Sequence, residues 1–379
     1  MVIQSKGWGM RVRAAVIGGG VAGTASAIAL RRRTGAEVTV YEAYDTAAGE
    51  EAGRVGSFLS LAVNGLRALD RIGVLAPVRA AGFAFADQCM WSASGRLLGR
   101  VPRGRLASDT LHSTTLLRER LVGAMRAEAE RAGVRIVTGR RVTADSLDAD
   151  LVVAADGLWS ATRTALDPGA PRPEYAGLYS ISGISRDVPL PGDAFHMVLS
   201  RKGAFLCLPV ADGGVWWSAQ VASPRPPDLA HPPQEWLPLL RELYAGSRTP
   251  AAVLAGAVES DRPTLMHELA EVPVWHDART VLIGDAAHPV GAGQGASMAL
   301  EDAVALADAV AAAPSVAGAL TAYDRLRRPR VARMTKAAAG NREAKTPGRV
   351  QHRATQALMP LFLRYAYPRA TAWLYEPTA

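Results

Sequence analysis

Ala14-Ala15-Val16-Ile17-Gly18-Gly19-Gly20-Val21-Ala22-Gly23 is the stretch on which the reading of this chain turns. Four uncharged apolar residues run into the spacing G-x-G-x-x-G, as a buried strand does when it meets a turn that only glycine fits. From Val21 onward apolar and small residues recur at helical spacing (Val21, Ala25, Ile28, Ala29), and Arg31, Arg32 and Arg33 fall where a helix C-terminus favours cations. Thr34-Gly35 stops the helix. A second strand, Val38-Thr39-Val40-Tyr41, ends on Glu42, 19 residues beyond Gly23. Together these predict a βαβ unit.

Each part suits a pyrophosphate. Gly18 makes the tight turn, Gly20 keeps a side chain out of the phosphates' approach, and Gly23 lets helix and strand close together. The helix start, at Val21 and Ala22, offers N–H donors and partial positive charge. Glu42, with Ala43 beside it, is placed to accept hydrogen bonds from ribose hydroxyls, which favours an adenosine ribose without a 2′-phosphate. A dinucleotide site is predicted; NAD and FAD satisfy it equally.

A chain of 379 residues exceeds one small core and predicts two interleaved units. The net charge of +8 comes from arginines scattered along the chain, without the basic stripe and reading element that nucleic acid requires. No run reaches the ~20 apolar residues of a membrane span, and the first nine residues hold no apolar signal core. A cytoplasmic monomer or homodimer is expected, with residues 1–9 a disordered extension. Cys89 and Cys207 lack metal-ligand spacing, so buried thiols and no metal are expected.

The chain leaves the first unit and returns to it twice. Ser57 to Leu61 reads as a strand, Asn64 to Val74 as a short helix, and Phe83 to Arg105 as an antiparallel hairpin. The first return carries an apolar helical face from Leu116 to Met125 and a buried strand, Asp150 to Ala155, followed by Asp156-Gly157. Pro168, Pro171 and Pro173 mark the second departure, into strands Phe195 to Ser200, Gly203 to Val210 and Val215 to Val221 and a helix from Gln234 to Ala245. The second return is the strand Thr280 to Ile283, ending in Gly284-Asp285. Gly291 to Gly295 then opens a helix to Ala312, and a longer one, Val316 to Ala339, has Pro329 as a kink. The predicted class is α/β: a Rossmann-like nucleotide domain over 10–82, 105–170 and 274–340, an interleaved antiparallel β-sheet domain for the substrate over 83–104 and 171–273, and C-terminal helices over 341–379.

Two further motifs stand at strand ends. Asp156 to Arg163 reads D-G-x-x-S-x-x-R, and Gly284 to Pro289 reads G-D-A-A-H-P, ahead of Gly293-Gln294-Gly295. Singly, Asp156 could cap a turn and pair with Arg163, and Gly284-Asp285 could be a plain turn. As an ordered set with the glycine turn they resemble the single-component FAD-dependent monooxygenases, the flavoprotein aromatic hydroxylases typified by para-hydroxybenzoate hydroxylase. The resemblance makes the first domain FAD-binding. It implies that Gly18, Gly20, Val21, Ala22, Gly23, Glu42 and Ala43 hold the adenosine end, with Val142 lining the adenine pocket, and that Asp156 belongs to the cofactor site. It also implies that Asp285 accepts a hydrogen bond from a ribityl hydroxyl, that backbone N–H groups of Gly293, Gln294 and Gly295 face the flavin pyrimidine oxygens, and that Arg54, Ser60 and Arg118 touch the cofactor. By the same resemblance His288 would shape the flavin loop, and no catalytic acid or base is assigned. The loop Pro289-Val290-Gly291-Ala292 is shorter than in many members.

The implied activity is monooxygenation, of the kind used in secondary metabolism. NADPH or NADH, bound transiently, reduces the flavin; dioxygen forms a flavin hydroperoxide; and the distal oxygen passes to an aromatic or other electron-rich small molecule. The substrate is expected between flavin and sheet, with Phe195, Met197, Phe205, Cys207, Trp216, Gln220 and Pro289 as candidate lining. Strand alternation puts Phe195 and Met197 on one face. Gly214-Val215-Trp216-Trp217 loosely resembles the tryptophan-rich signature of flavin-dependent halogenases, without its Ile-Pro ending. A halogenase, a flavin-binding protein without oxygenase activity and an NAD-dependent dehydrogenase stand as alternatives.

Overall fold

The computed structural model describes residues 12–45, 58–192, 194–290, 293–343 and 357–376. The expected extension 1–9 and Arg54 lie outside them. A five-stranded sheet, parallel throughout, has the order Thr280–Leu282, Leu151–Ala154, Arg13–Ile17, Glu37–Tyr41, Arg135–Val137. Its central strands are apolar on both faces, as a sheet covered by helices on each side requires. The helix Val21–Thr34 is buried without interruption from Gly23 to Leu30, because the helix Gly295–Ala312 packs along it. Gly35 ends the first helix in the left-handed conformation, φ 73°, with its N–H on the Arg31 carbonyl.

An eight-stranded sheet forms the second layer, in the order Ala257–Ser260, Glu174–Ser185, Val215–Ala222, Gly203–Pro209, Phe195–Ser200, Asp87–Ser92, Leu97–Pro102, with Thr264–Glu268 also on Glu174–Ser185. Its neighbours are antiparallel except one pair, since Phe195–Ser200 runs parallel to Asp87–Ser92. That pairing joins segments about a hundred residues apart, so no hairpin turn sets its direction. One face is covered by helices Trp236–Tyr244 and Arg248–Ala255, and the other turns toward Phe58, Phe83 and Phe85. A small antiparallel sheet of Phe58–Leu61, Ser113–Leu117 and Phe83–Phe85 stands between the two large ones.

The helix Val316–Glu343 continues through Pro329. The last helical stretch, through Phe362–Ala366 and Tyr367–Tyr375, docks on the sheet edge: Leu363 packs with Met90, Leu98 and Val101, and Tyr375 with Ala62 and Val63. No helix among the described residues is long and apolar enough to cross a membrane.

Candidate functional site

The glycine turn takes its shape from contacts that exclude side chains. Gly18 has φ 100°, and a Cβ there would lie 2.3 Å from the Ala155 carbonyl oxygen; one on Gly23 would lie 1.9 Å from that of Gly18. Among the described residues nothing lies within 4 Å of a Cβ placed on Gly20, and as N-cap it has no side-chain cap, which leaves N–H groups of the first turn of Val21–Thr34 to a ligand. Glu42 is buried and does more than its position suggested. Its carboxylate accepts from Gly19 N at 2.7 Å and from Tyr44 N at 3.0 Å. Arg126, which sequence reading missed, donates to the Gly19 carbonyl at 3.0 and 3.2 Å and stands 3.8 Å from Glu42. Val142 packs beside Ala15, Ile17 and Tyr41, and Ala43 is half-buried next to Glu42.

Asp156 caps the turn that follows it, accepting from Ser160 Oγ at 2.6 Å, Thr162 N at 3.0 Å and Thr162 Oγ1 at 2.9 Å. Arg163 spans to the third motif: buried, it donates to the carbonyls of Ala286 at 2.9 Å and Leu158 at 2.8 Å. Burial lowers its pKa against the opposing charge of Asp156. The D-G-x-x-S-x-x-R motif thus ties the Gly284–Ala286 turn to the sheet.

At that turn Asp285 is exposed to solvent although protein surrounds it closely. Its pKa is raised by desolvation, opposed by Arg118 and His288 and reinforced by Asp302. The structure therefore brings Arg118, at the start of the helix Arg118–Arg131, into the field of Asp285. Gly293, Gln294 and Gly295 form the start of the helix to Ala312, whose N-cap, Gln294, gives no side-chain cap. Among the described residues, Gln294 Oε1 and His288 Nδ1 are buried without a partner, and nothing lies within 4 Å of a Cβ placed on Gly293. His288 Nε2 is held by Asp302 at 2.7 Å, which also accepts Gly284 N at 2.9 Å. Pro289 follows, half-buried. Two uncapped helix starts, open glycines and orphaned polar atoms fit a long phosphate-bearing cofactor with a polar ring.

Toward the eight-stranded sheet the walls are aromatic. Phe58 stacks on Trp216 at 6.1 Å, Phe83 meets Trp216 edge-on at 5.6 Å, and Phe58 meets Phe195 at 6.3 Å. Met197 shares the face of Phe195, and Gln220 that of Trp216. Phe205 and Cys207 do not join them. Alternation along Gly203–Pro209 sends both to the opposite face, where Phe205 stacks on Trp217 at 5.9 Å and meets Tyr244 at 5.4 Å; Leu206 and Leu208 hold the inner positions. Burial pushes the Cys207 thiol up to about 12, so it stays an inert apolar filler. Ser60 is engaged by protein, with Thr115 Oγ1 at 2.6 Å and Arg103 at 2.9 Å.

A family model described as an FAD binding domain matches residues 11–338. The chain is 30% identical over 368 residues to a kynurenine 3-monooxygenase of Salinispora arenicola, a match covering 84% of this chain and 77% of the relative. It is 31% identical over 350 residues to a 3-amino-4-hydroxybenzoate 2-monooxygenase of Streptomyces platensis, with 85% of each covered. Among solved structures, Klebsiella pneumoniae HpxO complexed with FAD and uric acid superposes with a TM-score of 0.82 at 22% identity, over 97% of this chain and 98% of that one.

Proposed function

The chain belongs to the FAD-binding-domain family of aromatic monooxygenases, and from that premise we propose how its residues divide the work. It is an FAD-dependent monooxygenase of the hydroxylase type. When bound, FAD takes electrons from NAD(P)H and activates dioxygen for transfer of one oxygen atom to an aromatic substrate. Gly18 to Gly23 and the helix start behind them hold the pyrophosphate; Glu42, Ala43 and Val142 hold the adenosine half. Asp285 accepts a ribityl hydroxyl, and the start of the helix at Gly295 turns its N–H groups and partial positive charge toward the electron-rich ring. Asp156 acts at one remove, by fixing the segment through which Arg163 grips the Ala286 carbonyl. Phe58, Phe83, Phe195 and Trp216 keep water from the reacting face and orient a flat substrate against it. The segments 83–104 and 171–273 supply the substrate side, the remaining core segments the cofactor side, and the demand for NAD(P)H suits a cytoplasmic setting.

One observation carries this division: among the described residues Gln294 Oε1 and His288 Nδ1 are buried without a partner, and a Cβ on Gly295 would lie 3.8 Å from Asp285 Oδ1. Asp285→Ala is expected to fold normally and lose FAD at least roughly tenfold more readily, the effect of one buried charge-assisted hydrogen bond. Flavin absorbance per chain after gel filtration reads it. Wild-type occupancy in the variant would contradict the role given to Asp285.

A further inference from the structure

Large apolar side chains exposed one at a time are ordinary, whereas a contiguous stripe of them marks a contact. Of the eleven that the described residues expose, four fall within eight positions of the last helical stretch: Leu358 at 62%, Leu361 at 58%, Phe362 at 43% and Tyr365 at 58%. Their spacing, i, i+3, i+4 and i+7, is one face of a helix. The opposite face is already occupied. Met359, Leu363 and Tyr367 pack with Met90, Leu98 and Met197, and a Cβ on Gly99 of the edge strand Leu97–Pro102 would stand 2.7 Å from Leu363 Cδ1. The stripe therefore cannot turn inward without undocking Leu363 from the sheet. Met197 shares a strand face with Phe195 of the aromatic wall, so the stripe lies on the outer side of the helix that backs that wall.

The charge that accompanies the stripe is of one sign. From Ala344 to Tyr375 the sequence holds five lysines and arginines and no aspartate or glutamate. Two of these cations stand at the stripe itself: Arg364 and Arg369 are exposed, the first with its guanidinium 5.2 Å from the Tyr365 ring and the second donating to the Tyr365 carbonyl at 3.5 Å. A second copy of this chain seated here about a two-fold axis would set these cations against their own kind. A layer of anionic lipid headgroups is complementary in both respects, since it receives leucine and phenylalanine among the upper acyl chains and holds tyrosine and arginine at the level of the phosphates. No helix among the described residues is long and apolar enough to cross a bilayer, so the contact is with its surface. We propose that the face of Leu358, Leu361, Phe362 and Tyr365 is a peripheral docking surface for an anionic phospholipid membrane.

The test sediments the FAD-loaded full chain with vesicles of phosphatidylcholine alone and of phosphatidylcholine mixed equally with phosphatidylglycerol. Partitioning is expected to be roughly tenfold or more stronger on the anionic vesicles and to fall as salt is raised. Leu361→Ser combined with Phe362→Ser should weaken it at least about tenfold, while FAD occupancy and thermal stability stay at the wild-type level because both side chains are exposed. An environment-sensitive dye on Leu358→Cys, with Cys89 and Cys207 buried and out of its reach, should shift to the blue on the same vesicles. Equal partitioning on the two kinds of vesicle, none on either, undiminished partitioning of the double variant, or a dye that does not shift would each overturn the proposal. A dimer in sedimentation velocity that the double variant dissociates would overturn it too, by giving the stripe to a second copy. Should the double variant fail to fold, the wild-type ratio and the dye decide.

Discussion

Replacing Gly23 by valine is expected to remove about 3 kcal/mol or more of stability and to lower FAD affinity roughly 100-fold, because the overpacking falls on backbone and not on a side chain that can move aside. The Cβ would lie 1.9 Å from the Gly18 carbonyl oxygen and 3.1 Å from a Val16 methyl. Relief needs the helix Val21–Thr34 to lift from the strand Arg13–Ile17, yet that helix is buried from Gly23 to Leu30 beneath Gly295–Ala312. The same movement carries the phosphate-facing N–H groups out of position. Gly20→Ala is the control. Among the described residues nothing lies within 4 Å of its Cβ position, so thermal stability without cofactor should match the wild type while FAD binding still weakens. Thermal unfolding and flavin titration of both variants separate the two glycine roles; a Gly23→Val protein of wild-type stability would show that the close approach is not what holds this unit together.

The second large effect is expected from Asp302→Ala, at about 3–5 kcal/mol, the usual result of removing one member of a buried ion network. Asp302 accepts from Arg327 Nε at 2.8 Å, His288 Nε2 at 2.7 Å and Gly284 N at 2.9 Å, and Arg327 is only 2% exposed. Glu301, next to it, takes Arg327 at 2.8 Å, Arg330 at 2.7 Å and Asn64 at 2.7 Å. Removing Asp302 leaves a buried guanidinium half-paired and frees the turn that carries Asp285, so flavin occupancy should fall with stability. Burial alone would raise the Asp302 carboxyl, but His288, Arg327 and the Gly284 N–H overcome it and hold it well below the ordinary range; Glu301 is likewise held low against burial by Arg330 and Arg327. Carboxyls depressed in the folded state stabilise it above their unfolded pKa of about 4 and lose that contribution as pH falls further. Chemical denaturation at pH 7 and pH 3.5 should therefore show a smaller loss for Asp302→Ala than for the wild type. An Asp302→Ala protein as stable as the wild type at pH 7 would contradict the account of the network.

Much of the cofactor half was legible in the sequence because its signals are local. A glycine with φ near 100° beside a neighbouring strand's carbonyl, or an apolar run ending in Gly-Asp, shows as residue type and spacing. What the motifs do for one another was not legible, since Arg163 reaching Ala286 and Arg126 reaching Gly19 join residues more than a hundred positions apart. In the substrate half, alternation correctly sorts Phe195 from His196 but cannot say which face of a strand covered on both sides looks toward the flavin. That is why Phe205 and Cys207 stood among the candidates while Leu206 and Leu208 hold the inner face. The helix Arg248–Ala255 escaped notice because it is short and has Pro250 in its first turn.

The assignment as an FAD-dependent monooxygenase is tested most directly by following the flavin spectrum of the reconstituted protein in the presence of an aromatic substrate. NADPH or NADH added without air should bleach it, and oxygen should restore it with one labelled oxygen atom from ¹⁸O₂ appearing in the product. A chain that holds no FAD, or whose bound FAD neither nicotinamide can reduce, would contradict it.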